Sequence, residues 1–302
     1  MSPRRCYVLA LAGALTLAIA YGKEGADQYP FGAESWMTGA LPPPGTYFVN
    51  YFGYYTGQLR NDTGNKVNLN GSAPSVSATF DALRFVEITH LKLFGAQWGM
   101  QVIAPFVDQS VNLGGARGVT SQGDIDVDPF LLGWHGEHWH IIAAMDTMLP
   151  TGHYDKNDPR VSIGANYYSF EPILAFTVMP AAGWETSAKL MYNTKTTNQA
   201  TNYHSGDEFH TDFLVGRHIR HFSIGASGYF MQQFTNDTIN GVVAPAVPGF
   251  WGTGREGRVL AIGPSVSYST KHVDFIAQWQ DETLVRNRFS GSKLWFKLII
   301  PL

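Results

Sequence analysis

Residues 291 to 302 read "GSKLWFKLIIPL", with Lys293, Trp295 and Lys297 alternating against Leu294, Phe296, Leu298, Ile300 and Leu302. Successive side chains of a β-strand point to opposite faces, so this stretch reads as a strand with one charged, amphipathic face and one wholly apolar face. Any half-buried sheet could hold one such strand. The fold depends on whether the pattern recurs, and in what surroundings.

It recurs along the chain. Period-2 alternation predicts twelve strands, at 47–57, 79–93, 96–107, 125–135, 138–150, 166–179, 184–195, 207–219, 222–234, 258–270, 273–287 and 292–302. The clearest is "WETSAKLMYNTK", where Trp184, Thr186, Ala188, Leu190 and Tyr192 oppose Glu185, Ser187, Lys189, Met191, Asn193 and Lys195. The second strand is ambiguous, with apolar residues on both faces. The connections alternate in length: long at 58–78, 108–124, 151–165, 196–206 and 235–257, short at 94–95, 136–137, 180–183, 220–221 and 271–272. Only the last, around Ser290 and Gly291, breaks the order. Long loops at one end and short turns at the other are the mark of an outer-membrane barrel. Trp98, Trp134, Trp139 and Trp184 fall beside short turns, and Tyr54, Tyr55, Tyr167, Tyr168 and Tyr192 beside long loops, as two interfacial girdles would require.

Composition agrees. Charged residues make up only 15% of the 302, below the roughly one quarter usual for soluble domains, while aromatics reach 14%. The start, "MSPRRCYVLALAGALTLAIAYG", has two arginines, an apolar run and small residues Ala18 and Ala20, and reads as a secretory signal peptide over residues 1–20. The single cysteine, Cys6, lies within it, so the remainder of the chain can build neither a disulfide framework nor a thiolate metal site. Without Arg4 and Arg5 there remain 19 basic against 24 acidic residues, which argues against a nucleic-acid partner.

The expected architecture is therefore all-β: a 12-stranded antiparallel transmembrane β-barrel over residues 45–302, with short periplasmic turns and long extracellular loops, in the outer membrane of a Gram-negative bacterium. Its segment 292–302 closes the ring against the first strand, leaving no open edge in hydrocarbon. Outer-membrane lipid and lipopolysaccharide are its expected surroundings. Residues 21–44 precede the first strand as either a luminal plug or a periplasmic segment.

Six stretches carry a family likeness: "YPFGAESWMTGALPPPG" (29–45), "GWHGEHWH" (133–140), "LPTGHYD" (149–155), "NYYSFEP" (166–172), "SGDEFHTD" (205–212) and "GPSVSYS" (263–269). Through them the chain resembles the outer-membrane meta-pathway phenol-degradation proteins, regarded as channels for hydrophobic compounds. The resemblance implies a barrel and a transport role, and brings no catalytic residue with it.

The inward rows supply the candidate solute path: Asp146, Glu171, Glu185, Lys189, Asn193, Glu208, His210, Asp212, Asp274, Gln278, Glu282, Lys293 and Lys297. Both charge signs occur, which predicts internal ion pairs rather than a single-sign ring. Phe31, Trp36, Met37 and Leu41 offer an apolar, aromatic surface at a constriction, and Glu34 is expected to pair with a luminal lysine such as Lys189 or Lys297. Other clusters read more plainly. His135, His138 and His140 flank Trp134 and Trp139 and are expected to be interfacial rather than a metal site. Asp124, Asp126 and Asp128 fail the EF-hand pattern, because Pro129 and His135 stand where Gly and Glu are needed, and are expected at an acidic extracellular rim. His204 and Ser205 are loop neighbours, and adjacency in sequence does not make a catalytic pair. No cofactor or metal is expected. The function expected is passive uptake of small hydrophobic or aromatic compounds; the alternatives are a barrel-embedded lipid hydrolase or a structural outer-membrane protein.

Overall fold

The computed structural model describes residues 28–69, 71–180 and 183–302. The expected signal peptide lies outside the described residues. The described residues form sixteen strands: β1 (Gly45–Arg60), β2 (Ser75–Leu93), β3 (Ala96–Asn112), β4 (Ala116–Gln122), β5 (Ile125–His135), β6 (Trp139–Leu149), β7 (Ser169–Val178), β8 (Trp184–Lys195), β9 (Tyr203–His204), β10 (Glu208–Ile219), β11 (Phe222–Gln233), β12 (Thr238–Ile239), β13 (Val242–Val243), β14 (Arg258–Ser269), β15 (Asp274–Arg286) and β16 (Arg288–Pro301).

Twelve of them form a closed antiparallel ring, in the order β1, β2, β3, β5, β6, β7, β8, β10, β11, β14, β15, β16. The seam between β16 and β1 is continuous from Tyr47↔Pro301 to Arg60↔Arg288, so every long strand has two neighbours. Closure satisfies the backbone groups that an open edge would leave bare in hydrocarbon. The other four strands lie at the end with the long connections: β4 pairs back onto the tip of β3, while β9, β12 and β13 make a small sheet of their own. The sequence predicts plain loops here: β9, β12 and β13, at two residues each, carry too little alternation to be read, and the seven residues of β4 hold no apolar row.

The faces follow the alternation. Outside stand Phe52, Phe85, Phe106, Phe170, Leu174, Val215, Ile224, Val266, Phe275, Trp279 and Phe296, all exposed. Inside, Glu171, Lys297, Asp212, Gln278 and Ser265 are buried. A soluble protein hides the first set and exposes the second; this inversion needs a lipid surround. Trp139 and Trp184 face outward at the short-turn end.

Three expectations change. Of the tyrosines beside long loops, Tyr54, Tyr168 and Tyr192 face outward, but Tyr55 and Tyr167 do not: the Tyr55 hydroxyl donates to Glu282 Oε2 at 2.9 Å, and Tyr167 is buried. Adjacent strand residues cannot share a face, so the Tyr54–Tyr55 pair of β1 gives only one to the girdle, and Tyr167 is buried just before β7 begins. The reversal between the last two strands falls at Asn287, which takes a positive φ of 50°, not around Ser290 and Gly291.

The third concerns Asp124, Asp126 and Asp128, which are buried rather than set on an outer rim. β5 carries an irregularity between Val127 and Leu132. Pro129 has no N–H for the ladder, which favours a bulge, and Asp128 secures the turn by accepting from Phe130 N (2.7 Å) and Met145 N (3.1 Å). Across it the buried row switches from Asp126 and Asp128 to Leu131 and Gly133.

Candidate functional site

The barrel's core is its lumen, and residues 28–41 run through it. Gln28 lies at the end with the long connections, donating to Asp124 Oδ2 at 2.7 Å and accepting from Ser169 Oγ at 2.5 Å. Leu41 reaches the short-turn end, against Gly133. Pro42, Pro43 and Pro44 follow, and the chain bends at Pro43 and Pro44 before β1 runs back.

Each step of this path has a partner on the wall. Asp212 of β10 takes three donors from the segment: Tyr29 OH at 2.9 Å, Gly32 N at 2.8 Å and Glu34 N at 3.1 Å. The Gly32 carbonyl accepts from Gln278 Nε2 (2.5 Å), and the Phe31 carbonyl from Lys293 Nζ (2.9 Å). Trp36 Nε1 donates to Ser265 Oγ at 2.9 Å, Met37 N to Glu185 Oε1 at 2.6 Å, and Gly39 N to Thr177 Oγ1 at 3.0 Å. The segment is helical nowhere, so its backbone groups take wall side chains in place of a ladder.

Glycines shape the seats. A Cβ on Gly216 would lie 2.2 Å from the Trp36 ring, and one on Gly225 would lie 3.2 Å from it, so the missing side chains of β10 and β11 make room for the indole. Gly39 passes the β7 backbone so closely that a Cβ would come within 2.3 Å of Phe176.

The luminal charges separate by wall. Asp126, Asp128, Asp146, Glu171 and Asp212 lie on β5, β6, β7 and β10, with Lys189 of β8 among them, 3.6 Å from Asp146. Glu171 accepts from Asn193 Nδ2 at 2.8 Å and pairs with His210 Nε2 at 2.9 Å; Glu208 pairs with Lys195 at 3.3 Å. Glu185 also meets His218 Nε2 at 2.6 Å. The facing wall is basic: Arg84 on β2, with Lys293 and Lys297 on β16. Glu34 projects to that side, accepting from Arg84 Nη1 at 2.9 Å, Tyr51 OH at 2.7 Å and Lys297 Nζ at 2.5 Å. Glu282 accepts from Tyr55 and Tyr229, and Asp274 stands at the short-turn end of its inward row, in register with Ser269 and Ile299.

The expectations from sequence omit Arg84, Tyr51, Tyr29 and Gln101, whose amide Nε2 donates to Asp146 Oδ1 at 2.9 Å, as site residues. The alternation of β1 puts Tyr51 on the inward row with Val49 and Gly53, a signal that a search for ionisable residues passes over. Arg84 sits in the ambiguous second strand. The expected interfacial histidines His135 and His140 meet across their hairpin, Nδ1 to Nδ1 at 2.9 Å, while His138 lies 3.7 Å from Glu137. Among the described residues, no group of three or more His, Cys, Asp or Glu side chains is placed to hold a metal ion. Ser205 is buried with its Oγ unpartnered, and His204 lies in the small outer sheet opposite Thr238. No hydrogen bond joins the two side chains.

Comparison with known proteins agrees with this architecture. Residues 56–298 match the model of the family described as "Putative MetA-pathway of phenol degradation", and the chain belongs to that family. Among solved structures, the COG4313 outer membrane channel from Pseudomonas putida F1 superimposes with a TM-score of 0.76 at 15% identity, covering 89% of this chain and 99% of that one. The beta domain of the Bordetella autotransporter BrkA gives a TM-score of 0.51 at 11% identity, covering 86% of this chain and 100% of that one. No curated protein matches the sequence at a significant level. The protein is a β-barrel of the outer membrane.

Proposed function

From its place in this family, we propose that the barrel is a channel for passive passage of small, largely apolar or aromatic molecules, and that residues 28–41 are its gate. The observation carrying this is the segment itself: Tyr29, Phe31 and Trp36 are buried in the lumen, yet held by hydrogen bonds to a few wall residues and no covalent link. An obstruction so attached can leave without breaking the barrel, whose ladders are complete without it. The family's description names phenol degradation, and the Pseudomonas putida relative is described as a channel; both favour this reading over a structural barrel.

Deleting residues 28–41, with the preceding residues and all strands kept, is expected to raise single-channel conductance in planar bilayers and weaken discrimination between aromatic and aliphatic solutes. Unchanged conductance and preference would show that the gate is elsewhere.

The channel is not an enzyme in this reading. Ser205→Ala and His204→Ala proteins should transport as the parent does, and purified barrel should release no fatty acid from phospholipid or lipopolysaccharide. A lipase activity that either substitution abolishes would replace the channel reading.

A further inference from the structure

Glu34 occupies more than a salt bridge. Its carboxylate lies among three converging donors, Arg84 Nη1, Lys297 Nζ and Tyr51 OH, and Arg84 Nη1 also donates to the Tyr51 oxygen at 2.7 Å. Such charge-assisted contacts are the general chemistry of carboxylate recognition. Beside them is an aromatic wall. Trp295 is buried and packs edge-on against Phe80, with ring centres 4.5 Å apart, and against Tyr51 at 6.5 Å; it clusters with Ala33, the residue next to Glu34.

Two donors at this place are unmatched. Trp295 Nε1 and Arg84 Nε are buried with no hydrogen-bond acceptor. Unpaired buried donors are costly and rare in finished sites. Glu34 therefore fills the cradle without using all of it. It brings a carboxylate on two methylenes, where the surrounding rings offer a surface for an aromatic body.

We propose that this cradle is a binding site for small aromatic carboxylates, that Glu34 is its resident occupant, and that an incoming ligand displaces Glu34 and so loosens the segment. The proposal rests on the gate reading above and names the solute class and the release step. The exchange is one carboxylate for another, so Arg84 and Lys297 are never left unpaired, and Glu34 regains water as the segment moves. A neutral aromatic would strand both cations, and a carboxylate without a ring would leave the Trp295 wall unused.

An occupied cradle lowers apparent affinity by the fraction of time it is free. Calorimetry on purified protein should therefore show benzoate binding at least about tenfold more tightly to the Glu34→Ala variant than to the parent. In the Glu34→Ala background, Lys297→Met should cost about tenfold or more, and acetate and benzyl alcohol should bind at least about tenfold more weakly than benzoate. In planar bilayers benzoate should raise the open probability of the parent channel, while benzyl alcohol should not. Heat-modifiable gel mobility checks that each variant barrel is folded.

If benzoate binds Glu34→Ala protein no better than acetate does, or ignores Lys297→Met, the site is refuted even where deleting residues 28–41 opens the channel. If benzoate binds as expected but leaves the parent channel shut, the release step is refuted. An unchanged conductance on deletion counts against the gate alone, because calorimetry reads the cradle directly.

Discussion

Replacing Asp212 with alanine should unseat the luminal segment and open the channel more than any other single wall substitution. One buried carboxylate accepts Tyr29 OH, Gly32 N and Glu34 N, three donors spread over six residues of the segment. Removing it leaves all three unsatisfied in a crowded interior, at about 1 kcal/mol or more apiece. A loss of ~3 kcal/mol shifts a docked-to-free equilibrium roughly a hundredfold. The barrel is spared, because β10 keeps its full ladders to β8 and β11. Open probability in planar bilayers is the measurement. Asp212→Asn, which keeps one acceptor oxygen, should fall between parent and alanine variant. An Asp212→Ala channel as quiet as the parent would mean that the remaining contacts suffice to hold the segment.

The second large effect is expected outside the membrane. Asp237 is fully buried in the connection between β11 and β14, where it accepts from Tyr203 OH at 2.5 Å, Gly206 N at 2.9 Å and Gln233 Nε2 at 2.7 Å. Its backbone also reaches Gly254 and Ala244, so one residue joins the β9 strand, the tip of β11 and the turn at 253–255. Asp237→Ala removes three charge-assisted bonds at once, again ~3 kcal/mol or more. Local opening of this cap should become roughly a hundredfold more frequent, and protease cleavage tracks such opening. Trypsin added to intact cells should cut the variant at Arg255, which the parent keeps buried. Equal cleavage of parent and variant would show that the cap does not depend on Asp237, and cleavage at Arg220, in the short turn between β10 and β11, would invert the topology.

Much of this architecture is legible in the sequence because alternation is a local property. A Lys293–Lys297 row against a Leu294–Leu298 row needs no knowledge of any other strand, and the twelve long strands fall within a few residues of their expected ends. Legibility fails where locality fails. The bulge at Pro129 moves the inward row by one residue, and Asp126 and Asp128 go inside with it. The tyrosine pairs mislead when proximity to a loop is weighed above face.

Local alternation thus suffices to show that the chain closes into a membrane barrel, and which side chains of the clear strands face lipid. What meets in the middle of the lumen follows from the closed ring instead. Glu34 lies 50 residues from Arg84 and 263 from Lys297 along the chain. No periodicity links such positions. They converge because ring closure and strand register set the distances across the lumen, and because Gly39 and Gly216 leave room for the segment to pass.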